Sequence, residues 1–118
     1  MDNKFEKLDV WQASHQLVLK IYKLTEKFPR EEKFRLGDQL RRSASSIPTN
    51  IVEGNTRAHK KEFIQFLYLA KGSLEETKYH LVLSWDLRYI DENSYSDLHN
   101  KCEVVGRMLH GLVKSLQS

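Results

Sequence analysis

Apolar residues recur along this chain at steps of four and three, the spacing of one helix face, in four separate stretches. The first runs from about Val10 to Phe28 through Val10, Ser14, Leu17, Ile21, Leu24 and Phe28, widened by Trp11, Val18 and Tyr22. Asp9 followed by Gln12 reads as a capping box ahead of it, and Pro29 as its stop. The second is predicted from about Arg30 to Glu53, with Leu36, Leu40, Ala44, Ile47 and Ile51 as its seam. Glu31 and Glu32 suit the positive end of its dipole, and Gly54-Asn55 is a C-terminal stop signal. The third spans about Lys60 to Ile90, with Phe63, Leu67, Ala70, Leu74, Thr77, Leu81 and Ser84 on one face. Phe66, Leu69, Leu83, Leu87 and Ile90 form a second apolar stripe on it, so this helix is expected to touch more than one neighbour. The fourth follows the cap candidate Asp91 and keeps its rhythm through Tyr95, Leu98, Cys102, Val105, Leu109, Leu112 and Leu116. No segment alternates with period two. The expected fold is all-α, one domain over residues 1–118, an antiparallel up-down-up-down four-helix bundle joined by short loops.

The stretch Gly37 to Asn55 adds detail. Beside its apolar seam runs a polar one, Gln39, Ser43, Ser46, Asn50 and Glu53, also stepping by four and three. Pro48 sits between them, lacking an N–H and crowding the carbonyl four residues back, at a cost of roughly 3 kcal/mol in a helix interior. A kink within about a turn before Pro48 is expected. The polar seam has two readings. Asn50 and Glu53 bond groups freed at the proline and the seam fixes one packing register, or the seam lines a pocket or channel.

Composition narrows the class. The chain has 118 residues, 40% apolar and 30% charged, with two prolines and five glycines. That suits amphipathic helices with solvated outer faces. A single cysteine, Cys102, forms no internal disulfide and points to a reducing compartment. There is no run of 18 apolar residues and no apolar leader in MDNKFEKLD, so the expected location is cytoplasmic. Within the net charge of +3, residues 20–61 hold eleven Lys or Arg and five acids, whereas residues 62–103 hold four basic and eight acidic residues. One basic face or end is therefore expected, fit for a polyanion or an acidic partner surface. Its candidates are Arg35, Arg41, Arg42, Arg57, Lys60 and Lys61. Arg35 and Arg42, seven apart, share a helix face. A guanidinium fork suits phosphate, and equally a carboxylate such as Glu53 or Glu75.

Catalytic and metal chemistry find little purchase. None of His15, His59, His80, His99 or His110 follows an acid by three residues, the spacing a carboxylate-bridged metal bundle needs. Glu76 and His80, four apart, are a weak pair. There is no nucleophile elbow and no phosphate-cradling glycine loop, and Cys102 falls on an apolar seam, where it acts as a small hydrophobe. No cofactor, metal or enzymatic activity is expected. Gly72, within Ala70-x-Gly72-Ser73, predicts a close helix approach. Trp85, Tyr89 and Tyr95 cluster at the third turn, as packing rather than as a base-stacking platform, because their surroundings are acidic.

Four blocks together resemble the 23S-rRNA intervening-sequence protein family, also called the four-helix-bundle protein family. They are FEKLDVWQASHQLVLKIYKLTEKFP, LGDQLRRSASSIPTNIVEGN, KEFIQFLYLAKGSLEET and RMLHGLVKSL, and they cover nearly the whole chain. The chain departs from the family in carrying Arg35 where members have glycine and Ser43 where they often have alanine. The resemblance implies a left-handed antiparallel bundle that assembles as a ring-shaped homopentamer, without established enzyme activity. It also implies kinship with accessory proteins of diversity-generating retroelements, which bind a reverse transcriptase and nucleic acid. Two functions follow as expectations: a non-enzymatic oligomer contacting RNA or single-stranded DNA weakly through its basic surface, or a scaffold whose ring presents a surface to a partner enzyme such as a reverse transcriptase.

Overall fold

The computed structural model describes residues 3–118. A short 3₁₀ turn, Lys4–Lys7, precedes four helices: α1 Asp9–Thr25, α2 Leu36–Asn55, α3 Lys60–Asp86 and α4 Glu92–Gln117. There is no strand among the described residues. No helix is long and apolar enough to cross a membrane. Each helix packs on its sequence neighbours and α4 closes against α1, while the backbones of diagonal helices stay apart. The molecule measures 44 × 24 × 21 Å, the long axis being close to the roughly 40 Å that α3 and α4 span at 1.5 Å per residue.

Paired positions give the direction of each helix. Ser46 meets Ser73 and Ser43 meets Thr77, so α2 descends as α3 rises. Trp85 stacks on Tyr95 and Lys78 pairs with Glu103, so α3 and α4 are also antiparallel. Lys20 lies 3.8 Å from Asp97 across the closing α1–α4 contact. The seams meet inside. Leu17, Ile21, Leu40, Ile47, Ile51, Leu67, Leu74, Leu81, Val105 and Leu109 are all buried, each removing apolar surface worth about 1.5–3 kcal/mol from water.

The helix ends correct several expectations. Residues 30–35 form turns, and α2 begins at Leu36 rather than Arg30. The amides of Glu32 and Lys33 close on the Pro29 carbonyl, and Gly37 N–H reaches back to Glu32, so the turn satisfies itself before the helix starts. Gly37 sits in close quarters there, because a Cβ would stand 3.2 Å from both the Glu32 carbonyl and the Arg41 guanidinium. Asp9 is already inside α1, capped by no side chain, and Gln12 Nε2 donates to the Glu6 carbonyl instead. Asp91 does cap α4, accepting from Ser94 N–H at 2.8 Å. α3 ends at Asp86, with Ile90 buried in the following turn.

The helix α2 continues through Pro48. Just after the proline, Thr49 Oγ1 donates back to the Ser45 carbonyl and Asn50 Nδ2 to the Ser46 carbonyl, at 2.8 and 2.9 Å. Gly54 lets the N-terminal turns of α3 close on α2, since a Cβ there would lie 2.8 Å from Phe63 and from the Cβ of Phe66. Gly72 is different. It is exposed, and nothing stands within 4 Å of the Cβ it lacks, so the close approach expected at Gly72 does not occur within the chain.

Candidate nucleic-acid interface

The six cations singled out by charge do not share one surface. Arg35, Arg41 and Arg42 lie at the start of α2, and Arg57, Lys60 and Lys61 at the turn into α3. About 30 Å of helix separates the two groups. Arg41 is committed to the fold. Its guanidinium donates to Thr25 Oγ1 at 2.8 Å and to the Lys33 carbonyl at 2.6 Å, pairs with Asp38, and lies over the Tyr22 ring. It clamps the end of α1, the intervening turn and α2 together. Neither Glu53 nor Glu75 is its partner. Arg35 and Arg42 are exposed.

The first half of the linear charge block is cancelled in space. Antiparallel packing sets Lys23, Lys27, Arg30 and Lys33 at the same end as the α3–α4 turn, which carries Asp86, Asp91 and Glu92. The hydrogen bonds from Ser94 hold the Asp91 carboxyl below its usual range, and the charge of Lys27 adds to this. That end is mixed in sign.

The opposite end also carries acids, Glu53 on α2 and Glu62 in the first turn of α3, but its cations stand unpaired. Arg57, Lys60 and Lys61 are exposed, and none has a carboxylate within ion-pair distance among the described residues. The Arg57 guanidinium lies 4.6 Å over the Phe66 ring, which fixes its plane and leaves its N–H edge to solvent. His59, at the α3 N-cap position, provides no side-chain cap. The Glu62 amide bonds the His59 carbonyl, so the Lys60 and Lys61 amides are the ones left open at the positive end of the helix dipole, beside three cations and the Glu62 carboxylate. Such an arrangement is suited to an anion.

Residues that charge counting along the chain missed extend this end. Between α3 and α4 a slot of about 190 Å³ is lined by Leu67, Tyr68, Leu109, Val113 and Gln117, with Lys71, His110 and Lys114 around it. The signal was present as two basic positions four apart on α4, His110 and Lys114. It could not be joined to Lys71 without the α3–α4 register.

The polar seam faces α3. Ser46 and Ser73 hydroxyls lie 2.8 Å apart, and Asn50 Nδ2 reaches Ser46 Oγ at 3.2 Å. Thr77 Oγ1 lies 3.0 Å from Ser43 Oγ and 2.8 Å from the Ser73 carbonyl. Ser43 Oγ also bonds the Leu40 carbonyl. Gln39 and Glu53, the two ends of the seam, are exposed and outside this network. Ser73 and Thr77 complete it from α3.

The remaining titratable groups are structural. Cys102 is fully buried, and burial pushes its thiol up to about 12, far from a reactive thiolate. His80 Nε2 lies 3.2 Å from Glu76, while its buried Nδ1 has no hydrogen-bond partner. No group of three or more potential ligands is placed to hold a metal among the described residues. Trp85, Tyr95 and His99 stack on one another across α3 and α4, with ring centroids 4.4 and 5.7 Å apart, and Tyr89 packs on Phe28.

The model of the 23S rRNA-intervening sequence protein family matches residues 6–111. The chain belongs to this family. A crystal structure of an S23 ribosomal protein family member from Bacteroides thetaiotaomicron, a protein of unknown function, is similar to it at a TM-score of 0.83. The two are 28% identical, and the match covers 89% of this chain and 95% of the other. No curated protein matches it. The intervening-sequence protein described here thus shares with its solved relative the four-helix architecture over nearly the full length of both.

Proposed function

We propose that this intervening-sequence protein is a non-enzymatic, oligomeric binding module that holds RNA or single-stranded DNA weakly at the end of the bundle formed by the α2–α3 turn. The observation that carries this reading is the combination of Arg57, Lys60 and Lys61, all exposed and unpaired, with the uncapped start of α3. Phosphates would take the place that a cap and carboxylate partners leave open, and the contacts would be largely indifferent to base sequence. Arg35 and Arg42 would add a second, weaker contact from the far end of α2. Arg41 plays no part, because its donors are used within the fold.

Self-association is supported by the outer face of α3. Leu69, Tyr79 and Val82 are 57%, 60% and 36% exposed on the solvent side of this helix. Exposed large apolar side chains grouped on one helix, here interrupted by Glu75 and Glu76, are a common mark of an interface. In a closed ring, pentameric by family likeness, weak sites repeat around one axis and engage one long polyanion together through effective concentration. The same apolar face also favours the second reading, a scaffold that presents the ring to a partner enzyme such as a reverse transcriptase.

The test is retention of RNA and single-stranded DNA in a gel at about 50 mM salt, where phosphate-driven binding is strong. Replacing Arg57, Lys60 and Lys61 together by Glu should abolish retention while helicity and oligomer size stay unchanged. Absence of retention by the wild-type protein would leave the scaffold reading in its place.

A further inference from the structure

The slot between α3 and α4 differs from the other surface hollows in its chemistry. Its floor is Leu67, Leu109 and Val113, all buried, and one wall is the half-exposed ring of Tyr68. Lys71 and Lys114 stand at its mouth. No carboxylate lines it, and neither lysine has an ion-pair partner among the described residues. The lysine-lined groove between α1 and α4, by contrast, contains Asp97, which already pairs with Lys20 and Lys101. An apolar hollow under unpaired cations complements a flat apolar body carrying an anionic attachment.

Size and position narrow that further. An apolar cavity of about 150 Å³ admits benzene, so a slot of about 190 Å³ takes one ring. Lys60, Ile64, Leu67 and Lys71 lie on one stripe of α3. The slot floor at Leu67 is therefore only about 10 Å along the helix from Lys60, within a few nucleotides of the basic turn.

We infer that the slot seats one unstacked base of the bound strand, with Tyr68 alongside the ring and Lys71 and Lys114 on the flanking phosphates. This rests on the nucleic-acid reading above and adds to it a preference: single strands are bound over duplexes, because a paired base is not free to enter.

Three probes of equal length separate the contributions: an oligouridine single strand, an abasic single strand, and a duplex. At about 50 mM salt the oligouridine should bind about tenfold more tightly than the abasic strand, in keeping with one stacked base. The duplex should not exceed the abasic strand. Tyr68→Ala, at an exposed position, should remove the preference and leave abasic binding unchanged. Val113→Trp, which fills the slot, should do the same in protein whose circular dichroism matches the wild type. Equal binding of all three probes, or a preference that survives Tyr68→Ala, overturns the slot and leaves phosphate binding at the turn intact. Retention of none of the probes removes both.

Discussion

Arg41 Nη1 donates to Thr25 Oγ1 at 2.8 Å, and this one contact ties the last turn of α1 to the second turn of α2. The other nitrogen, Nη2, holds the Lys33 carbonyl and the Asp38 carboxylate, so a single side chain organises the only long connection in the bundle. The planar fork is essential to that geometry, since a lysine ammonium cannot reach three partners on different elements at once.

Arg41→Lys should therefore lower stability by about 2 kcal/mol, the scale of losing hydrogen bonds to a partly buried charge. Arg42→Lys, at an exposed neighbouring position, should change it by less than about 0.5 kcal/mol. Urea midpoints of the two variants make the comparison, and equal midpoints would show that Arg41 does not clamp the turn.

Two of the helical glycines, Gly54 and Gly72, predict opposite signs. Gly54→Ala places a methyl group against Phe63 and the Cβ of Phe66, an overpacking that costs roughly 1–3 kcal/mol. Gly72→Ala meets nothing within the chain and should stabilise the folded protomer by about 0.5–1 kcal/mol through helix propensity. Thermal melts at several protein concentrations check both. A Gly72→Ala loss that deepens with dilution would place Gly72 inside a subunit contact.

The seam hydroxyls are redundant at one position and not at the other. Ser43→Ala leaves Thr77 Oγ1 its bond to the Ser73 carbonyl, so the change should cost under about 0.5 kcal/mol. Thr77→Val strands the pairing with both Ser43 and Ser73 and should cost about 1 kcal/mol. A double-mutant cycle should return a coupling between the two sites; additive effects would mean the hydroxyls do not interact.

Cys102 gives a pH dependence with a definite sign. Burial raises its thiol from 9.0 to about 12, so the folded chain keeps the proton after the unfolded chain has lost it. The contribution to stability is full below pH 9 and declines as pH rises towards 12. Lys78 acts in the same direction, because its hydrogen bond to Glu103 raises its pKa from the ordinary 10.5. On the acid side, Asp97 and Glu103 are held below their usual values chiefly by hydrogen bonds from Lys101 and Lys78, so their contribution is lost as pH falls through those lowered values. A Cys102→Ala variant should show a shallower decline in stability above pH 9. The native thiol should also resist a disulfide reagent at pH 8 and react once the chain is unfolded.

The sequence by itself determined the helices, their seams and the core, because burial of a periodic face is a local property: Leu17, Ile47, Leu74 and Leu109 can be assigned to the interior from spacing alone. It also determined that Cys102 is a core residue and that Asp91 starts α4. Where α2 begins was not legible, since the turn at 30–35 is set by the clamp from Arg41, a residue whose partners come from three separate segments. Only the tertiary structure decided the charge. A count along the chain joined Arg35, Arg41 and Arg42 to Arg57, Lys60 and Lys61, but the length of α2 holds the two groups at opposite ends, and antiparallel packing sets the first beside Asp86, Asp91 and Glu92. The same packing brought Lys71 and Lys114, forty-three positions apart in sequence, to the mouth of one slot. Electrostatic potential depends on distance in space, and in an antiparallel bundle that distance is fixed by register.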